Sequence, residues 1–204
     1  SVGLRAVWSE VTMDDVTMTG WNDGIRCESA CTLYGTTLNA GGGGRNSGSA
    51  LTCDGGSIHL QTVETSASDI GIDLFEGQVH IEDWTVDMTH RTYGIQLAND
   101  AYATIRNMPS YTSSGIHDGF GDGTLLWGSS GTPDLAVSIE ESFTESTVTI
   151  TDLVGQAITN ASVTSHGFTE TTDNSGQATL PLLSSGSLVA AEDPSSGMGS
   201  SGTI

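Results

Sequence analysis

Hydrophobic positions in this chain recur in short blocks rather than in helical stripes. A phrase of one small, one large apolar, one polar and one apolar residue appears six times. It reads Gly3-Leu4-Arg5-Ala6, Gly24-Ile25-Arg26-Cys27, Ala50-Leu51-Thr52-Cys53, Gly71-Ile72-Asp73-Leu74, Gly94-Ile95-Gln96-Leu97 and Gly115-Ile116-His117-Asp118. Side chains alternate across a strand, so the second and fourth residues of each phrase share one face. The phrases are 21, 26, 21, 23 and 21 residues apart. Only Asp118 puts a charge at an inward position.

A second phrase lies between the blocks: two short strands separated by a two-residue corner. It reads Val11-x-Met13 then Val16-x-Met18, and Cys31-x-Leu33 then Thr36-x-Leu38. It continues with Ile58-x-Leu60 then Val63-x-Thr65, Val79-x-Ile81 then Trp84-x-Val86, and Ala103-x-Ile105 then Met108-x-Ser110. The second corner residue is Asp15, Gly35, Thr62, Asp83 or Asn107. All but Thr62 are types that tolerate the left-handed backbone region, so most of these corners are expected to have positive φ. No helical segment separates the strands, which excludes βαβ units and leaves a coiled solenoid. Coils stacked about 4.8 Å apart place equivalent residues in columns. The expected fold is all-β: a right-handed parallel β-helix over residues 1–130, three strands per coil and about 5–6 coils. Ile25, Leu51, Ile72, Ile95 and Ile116 should form one buried column.

This pattern resembles the pectate-lyase-like right-handed β-helix family over roughly residues 1–130, and the corner resembles that family's asparagine-ladder bend. The family spans lyases, hydrolases, tailspikes and adhesins, so the resemblance implies a shape more than an activity. In it the corresponding outward strand face often lines a polysaccharide groove. That implies a saccharide-binding strip at Arg26, Thr52, Asp73, Gln96 and His117, continuing the column from Arg5. The competing reading is that an outward strand position must be polar for solubility alone.

Beyond the turn-rich Gly128-Ser129-Ser130-Gly131-Thr132-Pro133 the period changes to plain alternation. Leu135/Val137/Ile139, Val148/Ile150, Ile158, Ala161/Val163 and Ala178/Leu180 fit a small antiparallel β-sandwich over residues 134–191. The stretch Thr151-Asp152-Leu153-Val154-Gly155-Gln156-Ala157-Ile158, followed by Thr172-Asp173-Asn174-Ser175-Gly176-Gln177-Ala178, resembles carboxypeptidase-regulatory-like and bacterial immunoglobulin-like modules. Such modules act as spacers or stabilisers on secreted proteins. Residues 192–204 read as a Ser/Gly linker or the start of a further element. Asn160-Ala161-Ser162 is a candidate glycosylation sequon.

Charge narrows the partners. Five Arg, no Lys and 25 acidic residues give a net charge of −20. Nucleic acid and anionic membranes would repel such a chain, and no apolar run reaches the ~20 residues of a membrane span. The composition suits an extracellular or cell-surface protein whose export signal lies elsewhere in a longer chain.

Candidate chemistry is sparse. Asp73 has no acidic partner in its own column on the adjacent coils, although glycoside hydrolysis wants two carboxylates about 5–9.5 Å apart. Asp69, Glu28 and Asp118 lie in neighbouring loops, with nothing to force them into range. Arg26 or Arg91 could be named as a lyase base without anything to single either out. No catalytic residue is therefore assigned. The Gly-rich insertion from Asn39 to Gly48, with Arg45 inside it, lacks the Lys and Ser/Thr of a phosphate loop and reads as a binding loop or a spacer. His59, His80, His90, His117 and His166 show no metal spacing, though His59 and His80 share an outward column. The Asp118–Gly123 loop has too few ligands for more than weak Ca²⁺ binding, and no cofactor or metal is assigned. Cys27 and Cys53 share an inward column. A Cys27–Cys31 disulfide suits an oxidising exterior, with Cys53 reduced, against the alternative of three buried thiols.

These observations lead to an expected role as a structural or adhesive segment of a larger secreted repeat protein, partnered by cell-surface glycans or copies of itself. The alternatives are a polysaccharide-binding or polysaccharide-degrading β-helix, and a subunit of a self-assembling surface layer or filament.

Overall fold

The computed structural model describes residues 2–42, 48–66, 68–86, 92–107, 116–118, 123–127, 139–193 and 195–204. Arg45, His90, Arg91, the Met108–Ser110 strand, most of the Asp118–Gly123 loop, the Gly128–Pro133 linker, Leu135 and Val137 lie outside the described residues, as does the side chain of His117. Every described element is a strand. Those of the first unit are β1 (Val2–Val7), β2 (Glu10–Met13), β3 (Val16–Trp21), β4 (Asp23–Glu28), β5 (Thr32–Gly42), β6 (Ser49–Asp54), β7 (Ser57–Ser66), β8 (Ile70–Phe75), β9 (Gln78–Val86), β10 (Tyr93–Ala98), β11 (Tyr102–Asn107), β12 (Ile116–Asp118) and β13 (Thr124–Trp127). Then follow β14 (Ile139–Thr149), β15 (Ser162–Ser165), β16 (Phe168–Thr171), β17 (Gln177–Leu183), β18 (Leu188–Asp193) and β19 (Met198–Thr203). The chain divides into two compact units, residues 1–141 and 142–204.

The first unit is a parallel β-solenoid. Its first sheet stacks β1-β4-β6-β8-β10-β12, and its second stacks β2-β5-β7-β9-β11-β13, with β3 also paired to β5. The register of the first sheet follows the six-fold phrase. Leu4 pairs with Ile25, Ile25 with Leu51, Leu51 with Ile72, Ile72 with Ile95 and Ile95 with Ile116. Ile25, Leu51, Ile72 and Ile95 are completely buried. Each contributes about 1.5–3 kcal/mol by leaving water, and the column is the spine of the solenoid core.

In the second sheet the expected alignment needs one correction. Val11 pairs with Leu33, not Cys31, and the column continues through Ile58, Val79, Ala103 and Leu125. Gly35 therefore faces inward beside Met13 and Leu60, and the corner of that coil is Thr36-Thr37. Cys31 precedes β5 and closes the turn instead of opening the strand.

The expected bend geometry also moves. Of the second-sheet corner residues only Asp15 is left-handed, with φ 51°. Elsewhere the two strands of the phrase run on as one, as in β5, β7 and β9. Two successive outward residues, such as Gln61 and Thr62 between buried Leu60 and Val63, shift the alternation without leaving the ordinary backbone region. This is why Thr62 is accommodated. Left-handed geometry belongs to the corner that follows each of the first five phrases of the first sheet: Trp8, Ser29, Gly55, Glu76 and Asn99, with φ of 51°, 50°, 71°, 53° and 55°. There the chain crosses between sheets in a few residues. Both corners are bridged between coils, Asn99 Nδ2 donating to Glu76 Oε1 at 3.3 Å and Asn107 Nδ2 to Asp83 Oδ1 at 2.6 Å.

The second unit is antiparallel. β14 pairs with β17, and a second sheet runs β16-β15-β18-β19. Val148, Val163, Ala178, Leu180, Leu182 and Val189 form its core, contributed by both sheets. Asp152 and Asp173 each accept two backbone N–H bonds at 2.7–2.9 Å within their turns, and Gly155 and Gly176 supply the positive φ that follows. Met198–Thr203 pairs with Leu188–Asp193, so this part of the Ser/Gly segment is a strand of the sheet.

Candidate functional site

The polar positions of the repeat keep one register through the first sheet, with Arg5, Arg26, Thr52, Asp73 and Gln96 as the described side chains of the anticipated strip. Arg5, Arg26, Thr52, Asp73, Gln96 and His117 are in register across six strands. Arg5 is exposed, Arg26, Asp73 and Gln96 are half-buried, and Thr52 is only 7% exposed. The strip is therefore less open than an outward column of polar residues predicts.

Its charges pair with one another. Glu28 lies two residues beyond Arg26 on the same face of β4. It accepts hydrogen bonds from Arg5 Nε at 2.8 Å and Arg5 Nη2 at 2.6 Å. Arg26 Nε lies 2.5 Å from the other Glu28 oxygen, completing an ion pair on the opposite side of the carboxylate. Arg26 also approaches Asp23 at 3.5 Å. Asp23 in turn accepts the backbone N–H of Ser49 at 3.2 Å, and Ser49 Oγ donates to Asp73 at 3.2 Å. Gly48 leaves room for this network, because a Cβ there would push the Asp23 carboxylate out of place.

Two carboxyl groups on this face shift in opposite directions. The Arg5 hydrogen bonds hold Glu28 below the ordinary carboxylate range, against the opposing effect of burial, with Arg26 assisting. Burial raises Asp73, although the Ser49 hydrogen bond and Arg26 pull it down; Asp23 and Asp54 add smaller upward pushes. Asp23, Glu28, Ser49 and Asp54 were not among the residues anticipated for the strip. Glu28 and Asp54 were legible, since they occupy the next outward position of the same strands. Asp23 and Ser49 were not, because only the stacking of β4 on β6 brings them together.

The second sheet carries a different outward column. Tyr34, His59 and His80 are in register, and their rings stack at 5.1 Å and 4.8 Å with planes within 19°. His59 Nε2 bonds Ser57 Oγ at 2.8 Å and His80 Nδ1 bonds Thr104 Oγ1 at 2.5 Å. Burial depresses the pKa of His59. Stacked along the coils, the rings show their edges outward and their faces to each other, which suits cohesion better than the capture of a flat ligand. Among the described residues no group of three or more His, Cys, Asp or Glu is placed to hold a metal ion.

The remaining candidates fall elsewhere. Cys27 and Cys31 are joined in a disulfide with Cα atoms 5.5 Å apart, and Cys53 is a buried free thiol. Asn160 is exposed in a left-handed turn, φ 57°. A recess of about 240 Å³ in the second unit is lined by Ser162, Thr164, Ala190, Ala191, Glu192, Gly199 and Ser200, far in sequence from the strip. No helix among the described residues is long and apolar enough to cross a membrane. No protein-family model, curated protein or solved structure matches the chain.

Proposed function

We propose that this chain is a structural or adhesive segment of a larger extracellular or cell-surface repeat protein. The observation that carries this reading is the engagement of the strip's charged groups with one another, Arg26 within β4 and the others between coils. Arg5 reaches from β1 to Glu28 on β4, Asp23 from β4 to Ser49 on β6, and Ser49 from β6 to Asp73 on β8. Groups arranged this way cross-link a rod and leave little free to grip a sugar chain. The net charge of −20 keeps such a rod soluble and selects against anionic partners. Cell-surface glycans without net negative charge and further copies of the chain remain the fitting partners, the latter including a surface layer or filament.

The test is the combined replacement of Arg26 and Asp73 by Ala. A scaffold strip gives a lower unfolding midpoint and unchanged retention on immobilised neutral glycans. Lost glycan retention at unchanged stability would overturn the reading. A polysaccharide-degrading alternative has one observation in its favour, the raised carboxyl of Asp73 with Asp54 and Asp23 close enough to act on it. New reducing ends or unsaturated products from a panel of polysaccharides, abolished by Asp73→Asn, would establish that alternative.

A further inference from the structure

The three cysteines form a cluster that a single disulfide does not exhaust. Cys27 and Cys53 are direct register partners on the adjacent parallel strands β4 and β6, and both are completely buried. Strand spacing sets their Cα atoms about 4.8 Å apart, inside the range that a disulfide spans. Cys31, in the turn after β4, lies 5.5 Å from Cys27 by Cα. The Cys27 sulfur sits over Gly56, 2.8 Å from where a Cβ would be. The Cys53 sulfur sits over Gly77 at 2.7 Å in the same way. The two sulfurs thus take equivalent positions one coil apart.

We propose that Cys27 is a shared sulfur with two partners in reach, and that its bond to Cys31 exchanges for a bond to Cys53. In the exchange Cys53 gives its proton to solvent and its thiolate attacks Cys27 Sγ. The Cys27–Cys53 bond forms as the Cys27–Cys31 bond breaks, and Cys31 leaves as a thiolate that takes up a proton. Nothing is oxidised or reduced overall. The first bond closes a turn of sequence separation 4. The second joins neighbouring coils 53 − 27 = 26 residues apart. A longer closed loop restricts the unfolded chain more, so the exchange turns a local clip into a staple between coils.

Burial holds the exchange in check. The Cys53 thiol is pushed up to about 11 by its apolar surroundings, with the neighbouring Asp54 carboxylate adding to the effect and backbone contacts from Gly56 and Gln78 opposing it. Since the thiolate is the attacking species, the rate should climb about tenfold per pH unit between pH 8 and 10.

The sequence supplies its own readout. Trypsin cuts after Arg26, Arg45 and Arg91, leaving Cys27 and Cys31 on residues 27–45 and Cys53 on residues 46–91. The native chain is incubated between pH 8 and 10, checked for unchanged circular dichroism, quenched in acid and alkylated without reduction. The expected result is that the alkyl label moves from 46–91 to 27–45 as a cross-linked 27–45/46–91 pair appears in monomeric protein. C31S oxidised in a glutathione buffer should yield that pair directly. Label that stays on 46–91 throughout, or moves at a rate indifferent to pH, overturns the proposal. So does a folded C31S that keeps two free thiols or pairs only between molecules. Should C31S not fold, the movement of label in the native chain decides alone.

Discussion

The two outward faces of the solenoid solve one problem differently. Parallel stacking places each residue directly beside its equivalent in the next coil, so a column of like charges repels itself. The first sheet stacks Arg5 on Arg26 and Glu28 on Asp54. It escapes the penalty by pairing across columns, with Glu28 set between the two guanidinium groups. The second sheet stacks Tyr34, His59 and His80, aromatic rings for which the same register is favourable. One face depends on charge and should answer to salt. The other should not.

The largest effect belongs to the core that both faces share. Ile72 is fully buried between Leu51 and Ile95. Ile72→Ala removes its packing and leaves a cavity, and should cost about 2–5 kcal/mol in urea unfolding. A loss below 1 kcal/mol would mean that side-chain pairing on the faces, not the column, holds the coils together.

The column was readable because a phrase repeated six times fixes the period whatever occupies each turn. The second sheet was harder. Its coil from Cys31 to Leu38 admits two alignments, and both place small or apolar residues inward. The structure chooses the one that turns Gly35 and Ala40 inward beside Leu33 and Leu38, and puts Cys31 into the turn, where it meets Cys27. Asp15, Asp83 and Asn107 suggested left-handed corners by residue type. Asp15 is one, whereas at Asp83 and Asn107 the capacity for side-chain bridging explains the residue type better, as the bond from Asn107 to Asp83 shows. On the strip, the column itself followed from spacing. The bonds among Arg5, Asp23, Glu28, Ser49 and Asp73 depend on side-chain reach between coils, which no periodicity encodes.

A smaller pair of effects tests the charged face through opposite signs. Glu28 is held low, so its stabilising contribution is present above the ordinary carboxylate pKa and is lost as pH falls through its folded value. Glu28→Gln should cost about 1 kcal/mol at low salt and neutral pH, less in 1 M NaCl, with the difference vanishing at acid pH. Asp73 is held high, so the folded state prefers it protonated, and stability falls as pH rises through the window above its unfolded pKa. Asp73→Asn keeps an acceptor for Ser49 and should raise stability at pH 7 by a few tenths to about 1 kcal/mol. Both variants shifting the midpoint the same way would show that the network is not electrostatic.

The smallest effect concerns the ring column, and it separates the two faces most cleanly. Burial lowers the pKa of His59, so the folded state binds a proton less readily than the unfolded chain. Its contribution is complete above the unfolded value near 6.5 and is lost as pH falls below it. Tyr34 and His80 face the ring from the adjacent coils, and Ser57 holds its Nε2 from the same strand. A charged His59 would meet no carboxylate among these partners. His59→Phe keeps the stack and removes the titration. The variant should therefore lose less stability than the parent between pH 7 and 5, by a few tenths of a kcal/mol. The difference should be the same in 0.05 M and 1 M NaCl, because the ring is half-buried and its pKa is lowered by lost hydration, not by a neighbouring charge that salt would screen. Thermal unfolding of the two proteins across that pH range, at both salt concentrations, measures it directly. Equal pH slopes for parent and variant would leave the rings as packing alone. A difference that disappears in salt would place the second face under the same electrostatic control as the first.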